Sequence, residues 1–183
     1  MIQGICRWIL YKVLGYEVVE TIEKPQKYII ALAPHTSNID FFIGQLFCRA
    51  QGFHCDFMMK REWFFWPLGP IFRKMGGIPI TRNKKMSTTD QLAEAAKNRE
   101  TFHLCITPEG TRKKNPDWKK GFYYIALKAE IPILLYGLDY KRKLIQCTKM
   151  VTPTGDIDNE MPEIKRYFES FQGKHPELFS TGL

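Results

Sequence analysis

Short β-branched and aromatic runs alternate along this chain with segments of helical period, and that alternation leaves few folds open. Strand-like runs fall at 16–22, 27–33, 53–59, 78–80, 102–106, 132–140 and 143–151. Between and around them lie helical segments at 2–14, from Ser37 or Asn38 to about 51, from Ser87 to about 99, at 118–129 and at 158–171. Ile2, Ile5, Cys6, Ile9, Leu10 and Val13 recur at helical spacing, so the first of these reads as amphipathic. Ser87 with Asp90 three residues on is a short-armed capping box. Strands that reach one another through helices pair in parallel and have both sheet faces covered. The expectation is therefore a single α/β domain over 1–183: a mixed, mostly parallel sheet flanked by helices, led by the amphipathic helix at 1–15. At 183 residues the chain is long enough to bury a substantial core.

No secretory signal is expected, because Arg7 and Lys12 interrupt the apolar N-terminus. No transmembrane helix is expected either: the longest strongly apolar uncharged stretch, 41–48, falls far short of the ~20 residues that span a bilayer. Five cysteines, at 6, 48, 55, 105 and 147, show no CxxC spacing and read as reduced thiols, with no metal site implied.

The net charge of +8 is unevenly placed. Residues 1–59 are neutral, 60–143 carry +10 and 144–183 carry −2. A positive field in mid-chain suits an anionic partner: nucleic acid, a phosphorylated substrate or an acidic membrane. A solvated basic face leaves the same trace. No reading helix, zinc spacing or stacking motif accompanies the charge, which argues against nucleic acid.

Three features carry candidate chemistry. His35 follows a strand, and Asp40 lies five residues on in the first turns of a helix. Folded back, the carboxylate would orient the imidazole and leave its other nitrogen as a general base. A helix-capping aspartate near an ordinary histidine has the same spacing. Thr107-Pro108-Glu109-Gly110-Thr111-Arg112 follows another strand, and is either a backbone cradle for a ligand or a surface turn. A short strand at 78–80 delivers Arg82, whose donor fork matches phosphate oxygens. Cys105 and His103, two apart on a strand, share a face, but nothing nearby would activate a cysteine hydrolase.

His-Thr-Ser-Asn-Ile-Asp at 35–40, Gly-Gly-Ile-Pro-Ile-Thr-Arg at 76–82, Pro-Glu-Gly-Thr-Arg at 108–112 and Ile131-Pro132-Ile133 resemble, in order and spacing, four motifs of the lysophospholipid acyltransferase family. That family includes the 1-acylglycerol-3-phosphate acyltransferases and is marked by the HX4D motif. The resemblance covers a core at 28–140 and implies a glycerol-phosphate acyltransferase-like fold. It implies that His35 deprotonates an acceptor hydroxyl and Asp40 orients it. The acceptor oxygen would then attack an acyl thioester, acyl-CoA or acyl carrier protein, as co-substrate, with no cofactor. Arg82 would hold the acceptor phosphate. Glu109, Gly110, Thr111 and Arg112 would shape its pocket, with a backbone N–H of that turn supporting the oxyanion. Thr81, Pro79 and Thr107 depart from the family's common residues. The first two lie in the acceptor-binding motif and keep open another lysolipid acceptor, such as an amino-acid-containing lipid; a non-catalytic peripheral lipid-binding protein is a separate alternative, against which the intact His35 and Asp40 stand.

Between basic pairs at 60–61 and 73–74 stand Trp63, Phe64, Phe65 and Trp66. Aromatic rings favour the membrane interface and basic side chains favour anionic head groups. An aromatic core segment would read the same way. The expectation is a peripheral protein on the cytoplasmic face of an anionic membrane, docked by this segment and the N-terminal helix.

Overall fold

The computed structural model describes residues 2–80 and 87–183. Its centre is a five-stranded sheet of order β1-β7-β6-β2-β5, formed by Glu17–Glu20 (β1), Lys27–Ala33 (β2), Phe102–Ile106 (β5), Ile133–Asp139 (β6) and Leu144–Val151 (β7). Three pairings are parallel, and only β6 and β7 run antiparallel. Phe57–Lys60 (β3) and Gly77–Ile80 (β4) make a separate two-stranded parallel sheet. A bridge from Asp56 to Leu104 ties it to the β5 edge. The expected mixed, mostly parallel α/β sheet is what forms.

The period of two along β2 explains both layers. Ile29, Ala31 and Ala33 face a core closed by α4 (Thr88–Lys97), α5 (Gly121–Ala129) and α6 (Ile157–Phe168). Tyr28 and Ile30 face a second core closed by α1 (Ile2–Trp8) and α2 (Ile39–Gln51). β6 is buried along its whole length, as a strand covered on both faces must be. Ser87 caps α4 by accepting the Asp90 N–H, as its spacing predicts.

Two segments differ from expectation. The N-terminal helix is α-helical only over Ile2–Trp8 and continues as a π-helical turn over Ile9–Val13. Cys6 and Leu10 face inward, while Ile2, Ile5, Trp8 and Val13 stand exposed. The segment at 61–75, to which the sequence assigns no element, holds a 3-10 turn (Arg61–Trp63) and a seven-residue helix, α3 (Leu68–Lys74). Pro70 sits in the first turn of α3, where its missing N–H costs nothing.

Candidate active site

Because β2, β5 and β6 run parallel, their carboxyl ends meet at one edge of the sheet, where open α/β sheets form ligand crevices. β2 delivers His35, β5 delivers Thr107 to Glu109, and β6 delivers Asp139 and Tyr140.

His35 and Asp40 do meet. His35 Nδ1 lies 3.0 Å from Asp40 Oδ2. The same oxygen accepts the backbone N–H groups of Thr36 and Ser37, each at 2.9 Å. Asp40 lies in the first turn of α2 and caps no helix N–H; its carboxylate gathers the preceding turn as well as meeting the imidazole. Its other oxygen, Oδ1, accepts the Tyr140 hydroxyl at 2.5 Å. Burial alone would raise the Asp40 carboxyl. Hydrogen bonds from His35, Tyr140 and Ser37 outweigh it and hold the group below the usual carboxylate value. An ionised carboxylate can only accept, so the proton between them sits on His35 Nδ1, and a neutral imidazole so held has its lone pair on Nε2. The His35 side chain is 19% exposed and Asp40 1%.

Glu109 has a different place from the one expected. It is 1% exposed, and its Oε1 accepts the His35 backbone N–H at 2.7 Å. It holds the His35 backbone and is not among the residues lining the crevice. Burial pushes its pKa up to about 8; the His35 N–H lowers it in part, and nearby Asp40 raises it. Two buried carboxyls a short distance apart therefore carry different charges at neutral pH, Asp40 ionised and Glu109 protonated.

The rest of the 107–112 turn divides. Gly110 lines the crevice together with Lys119. Gly110's N–H is already given to the Thr107 carbonyl at 3.1 Å, so it is not the oxyanion donor expected of this turn. Thr111 is half-buried, its hydroxyl accepting the Lys113 N–H, and Arg112 is exposed. Neither is among the residues lining the crevice. Arg82 lies outside the described residues.

From His35 a cavity of about 600 Å³ runs inward between α2 and the sheet. Ile30, Ile43, Phe47, Tyr136 and Leu138 make its walls apolar. Such a volume accommodates a ligand of several hundred daltons.

Of the four aromatics expected at a surface, three are exposed: Trp63 at 54%, Phe65 at 54% and Trp66 at 85%. Phe64 is half-buried against Phe72, with the Arg73 guanidinium over its ring. Among the described residues, no helix is long and apolar enough to cross a membrane, and no cluster of His, Cys, Asp and Glu is arranged to hold a metal.

The sequence did not point to Tyr140, nor to the strap that closes over the turn. Gly173 sits where a Cβ would fall 2.8 Å from Thr36 Oγ1 and 3.0 Å from Pro34 Cβ. Two residues later His175 N–H donates to Thr36 Oγ1 at 3.1 Å. Gly137, inside β6, admits the Phe171 ring, which a Cβ there would meet at 2.2 Å. A glycine within a strand is the available sign of such an approach.

Comparison with known proteins bears on the family and the fold. The model of the Acyltransferase family matches residues 12–135. Over 139 residues the chain is 31% identical to a Caenorhabditis elegans protein assigned by name to the 1-acyl-sn-glycerol-3-phosphate acyltransferases, covering 70% of this chain and 46% of that one. It is 35% identical over 88 residues to human 1-acyl-sn-glycerol-3-phosphate acyltransferase beta, covering 44% and 31%. The chain thus spans half or less of the length of these curated relatives. The crystal structure of the 1-acyl-sn-glycerophosphate acyltransferase of Thermotoga maritima shares the fold, with a TM-score of 0.61 at 18% identity over 91% of this chain and 76% of that one. With its ordered motifs, its His–Asp pair at the strand ends and a family match over most of its length, the chain belongs to the acyltransferase family.

Proposed function

We propose that the protein transfers a fatty acyl group from an acyl thioester to the free hydroxyl of a lysophospholipid such as 1-acylglycerol-3-phosphate, with His35 as general base. The observation that carries this reading is the hold on Asp40 beside the apolar cavity. Oδ2 takes His35 Nδ1 and two backbone N–H groups, and Oδ1 takes Tyr140. In the proposed reaction His35 Nε2 takes the acceptor's hydroxyl proton. The oxygen forms a bond to the thioester carbonyl, and the thiolate leaves, taking the proton back from the imidazolium. Asp40 stabilises that imidazolium, Tyr140 positions Asp40, and the cavity holds the acyl chain. A positioned base of this kind is worth ~10²–10⁴ in rate.

Lys119 at the cavity rim, with Arg82 as expected from the motifs, supplies positive charge for the acceptor phosphate. The exposed Trp63, Phe65 and Trp66 and the outward Ile2, Ile5 and Trp8 of α1 support docking on an anionic membrane surface, from which a lysolipid acceptor would be drawn.

The test is direct. Purified protein with radiolabelled palmitoyl-CoA or palmitoyl-acyl carrier protein is offered lysophosphatidic acid, and lipid products are separated. Labelled diacyl product is expected from one donor or both. His35→Ala should lower it by at least ~10² while the circular dichroism spectrum is unchanged. Undiminished turnover in that variant would refute the base assignment. A parallel panel of other lysolipids, read by mass spectrometry, identifies the preferred acceptor.

A further inference from the structure

The loops that leave β5 and β6 at the carboxyl edge of the main sheet share one character. After β5 come Arg112, Lys113, Lys114, Lys119 and Lys120, and after β6 come Lys141, Arg142 and Lys143. The strap at 172–182 carries Lys174 across the same edge, and three hydrogen bonds fix its path. Gln172 N–H donates to Asp139 Oδ2 at 3.1 Å, beside the β6 loop. His175 N–H donates to Thr36 Oγ1 at 3.1 Å, over the end of β2. The Ser180 carbonyl accepts the Trp118 indole N–H at 2.9 Å, in the β5 loop. β5 and β6 flank β2, so their ends lie roughly 10 Å apart. The three basic segments therefore form one continuous face, and Lys119 brings it to the rim of the crevice.

The charge is one-sided. Segments 110–120, 139–143 and 172–177 hold nine basic and three acidic side chains. One of the acids, Asp139, is buried and taken up by the Arg142 guanidinium and by the N–H groups of Arg142 and Gln172. The loops at the opposite edge, 21–26, 98–101, 130–132 and 152–156, hold two basic and four acidic side chains. Among the described residues, Arg112, Lys113, Lys114, Lys119, Lys141 and Lys174 pair with no carboxylate. Charge that served only solubility would have no reason to be sorted by strand direction.

Two observations bear on what meets this face. Among the described residues, none of the exposed large apolar side chains falls in its three segments. A surface that enters a bilayer needs such side chains among its cations, and the outward residues of α1 and the aromatic loop at 63–66 have them instead. Lys113, Lys114, Lys141 and Lys174 are exposed and do not line the crevice, so a small donor molecule would find no concave hold on them. An open cationic face of this breadth complements an acidic protein surface.

We propose that this face docks a small acidic carrier protein bearing the acyl chain as a thioester, a reading that rests on the acyl transfer proposed above. Acidic side chains of the carrier meet Lys113, Lys114, Lys141 and Lys174. The thioester arm then enters beside Lys119, which places the acyl carbonyl near His35 and the chain in the apolar cavity.

Binding and turnover test this separately. Fluorescein-labelled palmitoyl-acyl carrier protein is titrated with the full-length chain and followed by anisotropy. Affinity should fall roughly ten-fold or more between about 0.02 and about 0.2 M salt, since the contact is between exposed charges. The combined variant Lys113→Glu, Lys114→Glu, Lys141→Glu and Lys174→Glu should bind roughly ten-fold or more weakly at the lower salt. Its KM for palmitoyl-acyl carrier protein should rise by a similar factor, while its KM for palmitoyl-CoA changes less than about two-fold. Undiminished binding by the variant, or equal changes in the two KM values, overturns the docking face. So does a variant that keeps the carrier but no longer sediments with phosphatidylglycerol vesicles, which would give the face to the membrane. Should the variant not fold, carbodiimide cross-linking of the wild-type pair decides the matter. Carrier carboxylates should join to Lys113, Lys114, Lys141 or Lys174, and links mapping instead to Lys27 and Lys97 at the opposite edge overturn the proposal. Carrier binding without acyl transfer from either donor refutes the proposed function and leaves the docking face standing. Transfer from palmitoyl-CoA with no carrier binding does the reverse.

Discussion

The Tyr140 hydroxyl donates to Asp40 Oδ1 at 2.5 Å, so the carboxylate that orients His35 is itself held from across the crevice by the residue after β6. Tyr140 is fixed in turn by its N–H to the Gln172 carbonyl at 2.8 Å, and its ring meets Tyr16 edge-on. Burial and the hydrogen bond to Asp40 both raise the phenol's pKa, so it remains a donor at every working pH.

Tyr140→Phe should therefore lower kcat without weakening substrate binding. A hydrogen bond to a charged group is worth about 1.5–3 kcal/mol, of which part is recovered by relaxation, and a loss of roughly ten-fold in kcat is expected. KM for both substrates should change less than two-fold, as expected of a residue that acts through Asp40 rather than on a substrate. Steady-state kinetics on both substrates check this, and a change confined to KM would contradict it.

Glu109 makes stability depend on pH in an unusual direction. Its folded pKa of about 8 lies above its unfolded value of about 4.5. Between those values the folded chain keeps a proton that the unfolded chain has released. Stability is therefore greatest near the low end of that window and declines as pH rises toward 8, by an amount on the order of a few kcal/mol. Glu109→Gln keeps an acceptor for the His35 N–H and removes the titration. Denaturant unfolding from pH 5 to 8 should show a decline in the wild type that is flattened in the variant. Parallel curves would show that Glu109 is not the group responsible.

Gly137→Ala places a methyl carbon against the Phe171 ring and should destabilise by about 1–3 kcal/mol, as overpacking does. Phe171→Leu in the same chain should return at least half of that by making room. Thermal melts of both single variants and the double variant measure the coupling. Additive losses would mean that the contact is not what requires a glycine there.

Replacing Trp63, Phe65 and Trp66 together by serine should release the protein from anionic vesicles, with little change in melting temperature, because all three rings are exposed. Sedimentation with phosphatidylglycerol liposomes reads the result, and unchanged binding would remove this segment from the docking surface. Phe64→Ser should instead cost stability, since its ring packs on Phe72.

Much of the architecture could be read in advance because its signals were local. The bounds of β2 and β5 follow from β-branched and aromatic runs that needed no tertiary help, and Ser87 announced α4 by its side chain. His35 and Asp40 could be paired because five residues separate them. Glu109 could be placed in the site but not given its direction. The His35 N–H that holds it lies 74 residues away, and only the parallel pairing of β2 with β5 brings the two together. Tyr140 had no motif at all. Its approach depends on β6 lying beside β2, in a strand order that no run of residues spells out. The π-helical turn over Ile9–Val13 was hidden for a different reason, since a single five-residue turn is too short for its wider period to show in the sequence.

The strap over the base carries a consequence in time. The Thr36 hydroxyl receives its N–H partner from His175, 139 residues further along. At ~5–20 residues per second a ribosome needs roughly 7–28 s to cover that distance. For the last 109 residues of that interval the aromatic loop at 63–66 is already made, while the turn that bears His35 has yet to meet His175. A nascent chain thus presents its exposed aromatic rings well before the turn that bears His35 is closed.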